Sequence, residues 1–112
     1  MMSALSAGPK KSAFSVERYD SSWELAYMHR LEKDKTVAKW TKNHGITIQY
    51  VTEASNVRGY RPDFLVERID GKKELHEVKG GQYLQNPDTQ RKHEAAKNWC
   101  RRRGMQFVVI TK

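Results

Sequence analysis

The dipeptide Asp70-Gly71, set between two apolar runs in "RPDFLVERIDGKKELHEVKGG", constrains this chain more than any other feature. Asp-Gly flanked by alternating apolar residues is a strong short-range hairpin signal, and it predicts strands over roughly 58–69 and 72–79. Three residues sit in these runs where a strand would ordinarily carry valine or threonine: Asp63, Glu77 and Lys79. Glu77 and Lys79 are two apart, so their side chains leave one face of a strand. The side taken by Asp63 depends on the loop. A two-residue loop pairs residue 63 with 78 and turns the carboxylate away. A three-residue loop, Ile69-Asp70-Gly71 with Gly71 left-handed, pairs 63 with 77 and gathers all three side chains. The second register is the one expected, and it also sets Leu65 against Leu75 as an apolar floor.

Around this hairpin the periodicities imply one domain. Trp23, Tyr27 and Leu31 recur at four-residue steps with Leu25 and Met28 beside them, which predicts a helix with one buried stripe. Ser21 followed by Glu24 is a capping-box pattern at its start. "TVAKWTKNH" places Val37 and Trp40 three apart and predicts a short helix ended by Gly45. "GITIQYVTE" alternates Ile46, Ile48 and Tyr50 and predicts a strand. "NPDTQRKHEAAKNWCRRRG" predicts a helix with its N-cap at Asp88 or Thr89, an apolar face of Ala95, Ala96, Trp99 and Cys100, and a stop at Gly104. "MQFVVIT" is expected as a strand buried on both faces. Residues 1–19 mix small residues, proline and lysine without periodicity, so the expectation is a flexible basic arm followed by a single domain over 20–112. Strands on both sides of a helix imply an α/β fold with a mixed sheet and helices on its faces.

The net charge of +8 is uneven. Residues 1–19 hold three basic and one acidic residue, residues 20–88 eleven of each, and residues 89–112 seven basic against one acidic. A concentrated positive face is the footprint of a polyanion, nucleic acid being the commonest. A lone Cys100 and four scattered histidines offer neither a disulfide nor structural zinc. No run is apolar enough to span a membrane, nor does the start read as a secretory signal, so the expected location is the cytoplasm.

Two carboxylates facing each other repel, and each titrates with a raised pKa unless a cation sits between them. A hard divalent ion answers this, since Mg²⁺ takes oxygen ligands and commonly one or two carboxylates plus waters and a substrate phosphate. The Val78 carbonyl lies between Glu77 and Lys79 and adds an oxygen. A neighbouring lysine orients or deprotonates a water attacking phosphorus and screens the anionic transition state. The arrangement is that of a metal site for phosphodiester hydrolysis.

"PDF", an intervening hairpin and "EVK" resemble the PD-(D/E)xK nuclease superfamily, whose core runs αβββαβ in the restriction-endonuclease-like fold. The resemblance covers 20–112. Within it, "SSWELAYMHRLEKDKTVAKW", "YRPDFLV", "EVKGG" and "AAKNWCRRRGMQFVVIT" look most like small phage-type nucleases and the end-cleaving endonuclease subunit of certain transposons. "VAKWTKN" and "YRPDFLV" are also similar to the nuclease part of type III restriction subunits. The resemblance implies a metal-dependent DNA endonuclease. Asp63, Glu77 and Lys79 form its catalytic core, with Glu24 of the first helix added as in many members. Mg²⁺ is implied as cofactor with Mn²⁺ as a substitute, held by Asp63, Glu77, the Val78 carbonyl and Glu24. DNA is the implied partner, met as a homodimer or within a larger DNA-processing complex.

Several of these residues carry a plainer reading as well. Glu24 closes a capping box or faces the metal. Gly80 and Gly81 end a strand or let a phosphate backbone come close. Lys92, like Gln90, snorkels over the core or reaches the site. Arg101, Arg102 and Arg103 complement the helix dipole or form a phosphate-binding ridge. Two other functions share the same features: a structure-selective resolvase of Holliday-type junctions, and a non-catalytic DNA-binding or assembly module that retains the fold.

Overall fold

In the computed structural model, residues 4–7, 10–12, 14, 16–19 and 21–111 are described. The remaining positions of the 1–19 arm, Asp20 and Lys112 lie outside the described residues. The strands are β1 (Ala4–Ala7), β2 (Val16–Tyr19), β3 (Val37–Thr41), β4 (Ile48–Val51), β5 (Val57–Tyr60), β6 (Phe64–Arg68), β7 (Lys73–Lys79) and β8 (Gln106–Thr111). The helices are α1 (Ser22–Lys33) and α2 (Pro87–Arg101). In the arm, β1 pairs antiparallel with β2. Lys10 and Lys11 donate their backbone N–H groups to the Glu32 carboxylate at 2.8 and 3.1 Å.

A four-stranded sheet in the order β3-β6-β7-β8 carries the body of the molecule. Its hairpin has the expected register: Leu65 faces Leu75 and Phe64 faces His76. The loop is the three-residue kind. Arg68 N–H donates to Lys72 O at 2.8 Å, leaving residues 69–71 outside the ladder. Gly71 stands at φ +89°, in the left-handed region where a side chain is disfavoured. The β3-β6 and β6-β7 pairs are antiparallel and β7-β8 is parallel, so the sheet is mixed. The parallel step is made by α2, which crosses between β7 and β8.

The helices cover opposite faces. Tyr27, Met28 and Leu31 of α1 pack on Val37, Trp40, Phe64 and Val66. Ala96 and Cys100 of α2 pack on Leu75, Ile48 and Tyr60, with Leu65 and Phe107 partly buried beside them. Phe64 and Val66 of β6 therefore feed one layer and Leu65 the other, which is why the first three residues of that strand are apolar without alternation.

Five expectations are corrected. "TVAKWTKNH" is strand β3, not a helix. A register shift between Val37 and Lys39 inserts one extra residue, so Val37 and Trp40 both reach the core although three apart, imitating helical spacing. The run over 58–69 is broken at Pro62. β5 pairs with β4 in a separate two-stranded sheet, and only β6 joins the hairpin. The order αβββαβ is thus met by α1, β3, β6, β7, α2 and β8, with β4-β5 inserted. The cap of α2 is Asn86, whose side chain accepts from the N–H groups of Asp88 and Thr89, with Pro87 opening the helix. β8 is half-buried, because it forms the edge of its sheet. Trp23 is also only half-buried, lining an open groove with Ala26, Val78 and Ile110.

Candidate active site

Pro62 ends the β6-β7 ladder. Continuing the register places residue 62 opposite Val78, whose N–H would donate to the Pro62 carbonyl. That carbonyl is instead paired with the His44 ring at 2.7 Å, and Val78 N–H donates to Asp63 Oδ2 at 2.8 Å. The Asp63 side chain takes the place of a strand carbonyl and is held against β7 beside Glu77.

The consequences are electrostatic. Burial first, then the charge of Glu77, push the Asp63 pKa up to about 8, with the Val78 hydrogen bond opposing and Glu24 adding to the rise. Glu77 is 7 % exposed and is also raised, mainly by burial, with Tyr60, Asp63 and Lys79 pulling the other way. Its Oε1 has no hydrogen-bond partner. Two carboxyl groups held together in an apolar layer, one with an orphaned oxygen, form a pocket of negative potential suited to a cation.

Lys79 acts on Glu77 and sits 5.4 Å from the Tyr83 ring centroid. Asp63, Glu77 and Lys79 are therefore brought to one corner of the α2-facing side of the sheet. Glu24 approaches from α1: its carboxylate raises Asp63 and forms an ion pair with Lys42. Ser21 caps α1 by accepting from Glu24 N–H at 3.2 Å. Lys92 stands with Nζ 5.7 and 5.8 Å from the ring centroids of Tyr50 and Tyr60. Gly80 is buried, and Gly81 opens a 3₁₀ turn through Tyr83 that ends β7.

Arg101, Arg102 and Arg103 are exposed where α2 ends. Arg101 bonds the Asn98 side chain, and the Arg103 guanidinium stacks 3.8 Å from the Trp99 ring centroid. Among the described residues no group of three His, Cys, Asp or Glu side chains is arranged to hold a metal ion. The donors the corner offers are the Asp63 and Glu77 pair, the Val78 carbonyl and water, a set that suits a hard, hydrated cation such as Mg²⁺.

Sequence reasoning missed Tyr60, which is 6 % exposed with its hydroxyl unpartnered beside Glu77. A tyrosine three residues before the aspartate, at a buried strand end, was the available signal. His76 is 1 % exposed. It lies between the Tyr27 hydroxyl at 2.5 Å and Glu74 at 2.7 Å, on the α1 side of the sheet. A groove of about 440 Å³ on that side is lined by Trp23, Ala26, Tyr27, Arg30, Val78 and Ile110, and none of the three catalytic candidates borders it.

Residues 34–112 match the family model described as TnsA-like endonuclease N terminal. No curated protein matches the chain. No helix among the described residues is long and apolar enough to cross a membrane.

Proposed function

Because the chain belongs to the TnsA-like endonuclease N-terminal family, we propose that it hydrolyses phosphodiester bonds of DNA at the Asp63, Glu77 and Lys79 corner, with Mg²⁺ as cofactor and Mn²⁺ as substitute. The observation that carries this is the pairing of two buried carboxyl groups, Glu77 Oε1 without a partner, beside a lysine on one sheet face. Asp63, Glu77 and the Val78 carbonyl would hold the ion, with Glu24 close enough to add its charge. When bound, a divalent cation supplies the positive charge that neutralises the carboxylates and acidifies water.

The chain's own residues do the rest. The Val78 N–H fixes Asp63. Lys79 orients the attacking water, takes up or shares its proton, and screens charge on the phosphoryl oxygens. Phosphates farther along the duplex meet Arg101, Arg102 and Arg103, and nearer ones meet Lys92 and the backbone at Gly80 and Gly81. The working form in this reading is a homodimer or a subunit of a larger DNA-processing complex, acting in the cytoplasm of a bacterium or a phage-infected cell.

The test is nicking of supercoiled plasmid with Mg²⁺ or Mn²⁺ against an EDTA control, with linear duplex and a four-way junction in parallel. Cation-dependent nicking that Lys79→Ala lowers by about 10²–10⁴-fold supports the reading. Equal nicking by the unaltered chain and Lys79→Ala refutes it. Preference for the junction would identify a resolvase, and DNA binding without cleavage an assembly module.

A further inference from the structure

Tyr60 closes β5 opposite Ile48, and its ring enters the apolar layer with Leu75, Ala96 and Cys100. Phenylalanine would serve that packing equally well. The hydroxyl does not serve it, being buried without a hydrogen-bond partner. A second orphan, Glu77 Oε1, lies in the same layer, and the two side chains are 6 % and 7 % exposed. They are neighbours: Glu77 lies two residues past Leu75 on the face that Tyr60 packs against, near enough for the hydroxyl to favour the charged carboxylate, yet their geometry falls short of a hydrogen bond. Lys92 Nζ, 5.8 Å from the Tyr60 ring centroid, holds the ring from the α2 side. Native cores rarely leave buried polar atoms unpaired, so a donor left beside an acceptor calls for a functional reason.

We propose that Tyr60 is a positioning residue whose hydroxyl donates to Glu77 Oε1 when the site holds its cation, fixing the Glu77 carboxylate and leaving its other oxygen for the metal. This rests on the reading of the corner as a metal site. A hydrogen-bonded partner behind a ligating carboxylate orients it, and loss of such a partner typically costs 10–100-fold in affinity or activity.

The test compares the unaltered chain, Tyr60→Phe and Asp63→Asn by Mn²⁺ titration calorimetry, with plasmid nicking alongside. Tyr60→Phe is expected to keep the metal-free melting temperature, to weaken Mn²⁺ binding about tenfold or more, and to lower kcat while leaving KM for DNA unchanged. Mn²⁺ binding that is lost in Asp63→Asn but unchanged in Tyr60→Phe overturns the Tyr60 assignment alone. No Mn²⁺ binding by the unaltered chain overturns the metal-site reading and this assignment with it. Should Tyr60→Phe not fold, Mg²⁺ titration of the unaltered chain still decides. The near-ultraviolet tyrosine absorbance must shift on binding, and a flat response rejects the proposal.

Discussion

Asp63 accepts the Val78 backbone N–H at 2.8 Å, at the ladder position that the Pro62 carbonyl would otherwise fill. One carboxylate oxygen thus does structural work while the group as a whole faces Glu77. The two duties are separable by substitution. Asp63→Asn keeps an acceptor for Val78 and should fold normally while losing cleavage. Asp63→Ala leaves a half-buried N–H without a partner, which costs about 1–3 kcal/mol of stability in addition. Urea unfolding of the two variants beside the nicking assay checks the separation; equal stability of both would remove the structural duty.

The metal-free protein should lose stability as pH rises. Asp63, moved from 3.8 to about 8, and Glu77, also raised, bind more protons folded than unfolded. Their unfavourable contribution therefore begins above the unfolded value and is complete above the folded one. Buried His76 and half-buried His93, both lowered, act in the opposite sense and only below their ordinary value of about 6.5. Thermal melts in EDTA should accordingly decline between about pH 6.5 and 8. Asp63→Asn should flatten the decline, and Mn²⁺ should reverse it.

Glu32 ties the arm to the body. Burial raises its pKa, but hydrogen bonds from Lys10, Trp40 and Lys11 outweigh burial and leave it lowered. A lowered carboxyl contributes stability that is present above its ordinary value of 4.5 and lost as pH falls through the folded one. Acidification below that value is expected to release the Lys10–Lys11 contact and change the fluorescence of Trp40, whose indole donates to Glu32 at 2.6 Å. Glu32→Gln should show the changed fluorescence already at neutral pH.

Gly71→Ala is expected to cost about 1–2 kcal/mol, because φ +89° suits glycine alone, although a Cβ there would meet nothing within 4 Å. Leu75→Ala, at a wholly buried residue under the site, should cost about 2–5 kcal/mol. Chemical denaturation of both variants measures the contrast between strain in a loop and a cavity in a core.

The hairpin was legible because its information is local. Asp70-Gly71 selects the turn, the turn sets the register, and the register puts Asp63, Glu77 and Lys79 on one face. β3 was not legible, since a bulge against β6 gives Val37 and Trp40 the spacing of a helix while both point inward. The α2 cap was misplaced by two or three residues because Asn86, Asp88 and Thr89 are all good caps in sequence, and Pro87 at the first helical position decides among them.

The sequence by itself determined which residues carry charge in an apolar hairpin and which turn joins its strands, because these depend on alternation and on one glycine. Only the tertiary structure decided that Pro62 sends β5 and β6 into different sheets, that His44 takes the Pro62 carbonyl, and that Tyr60 ends beside Glu77. Those outcomes depend on how separate segments compete for the same hydrogen-bonding groups, and that competition has no period along the chain.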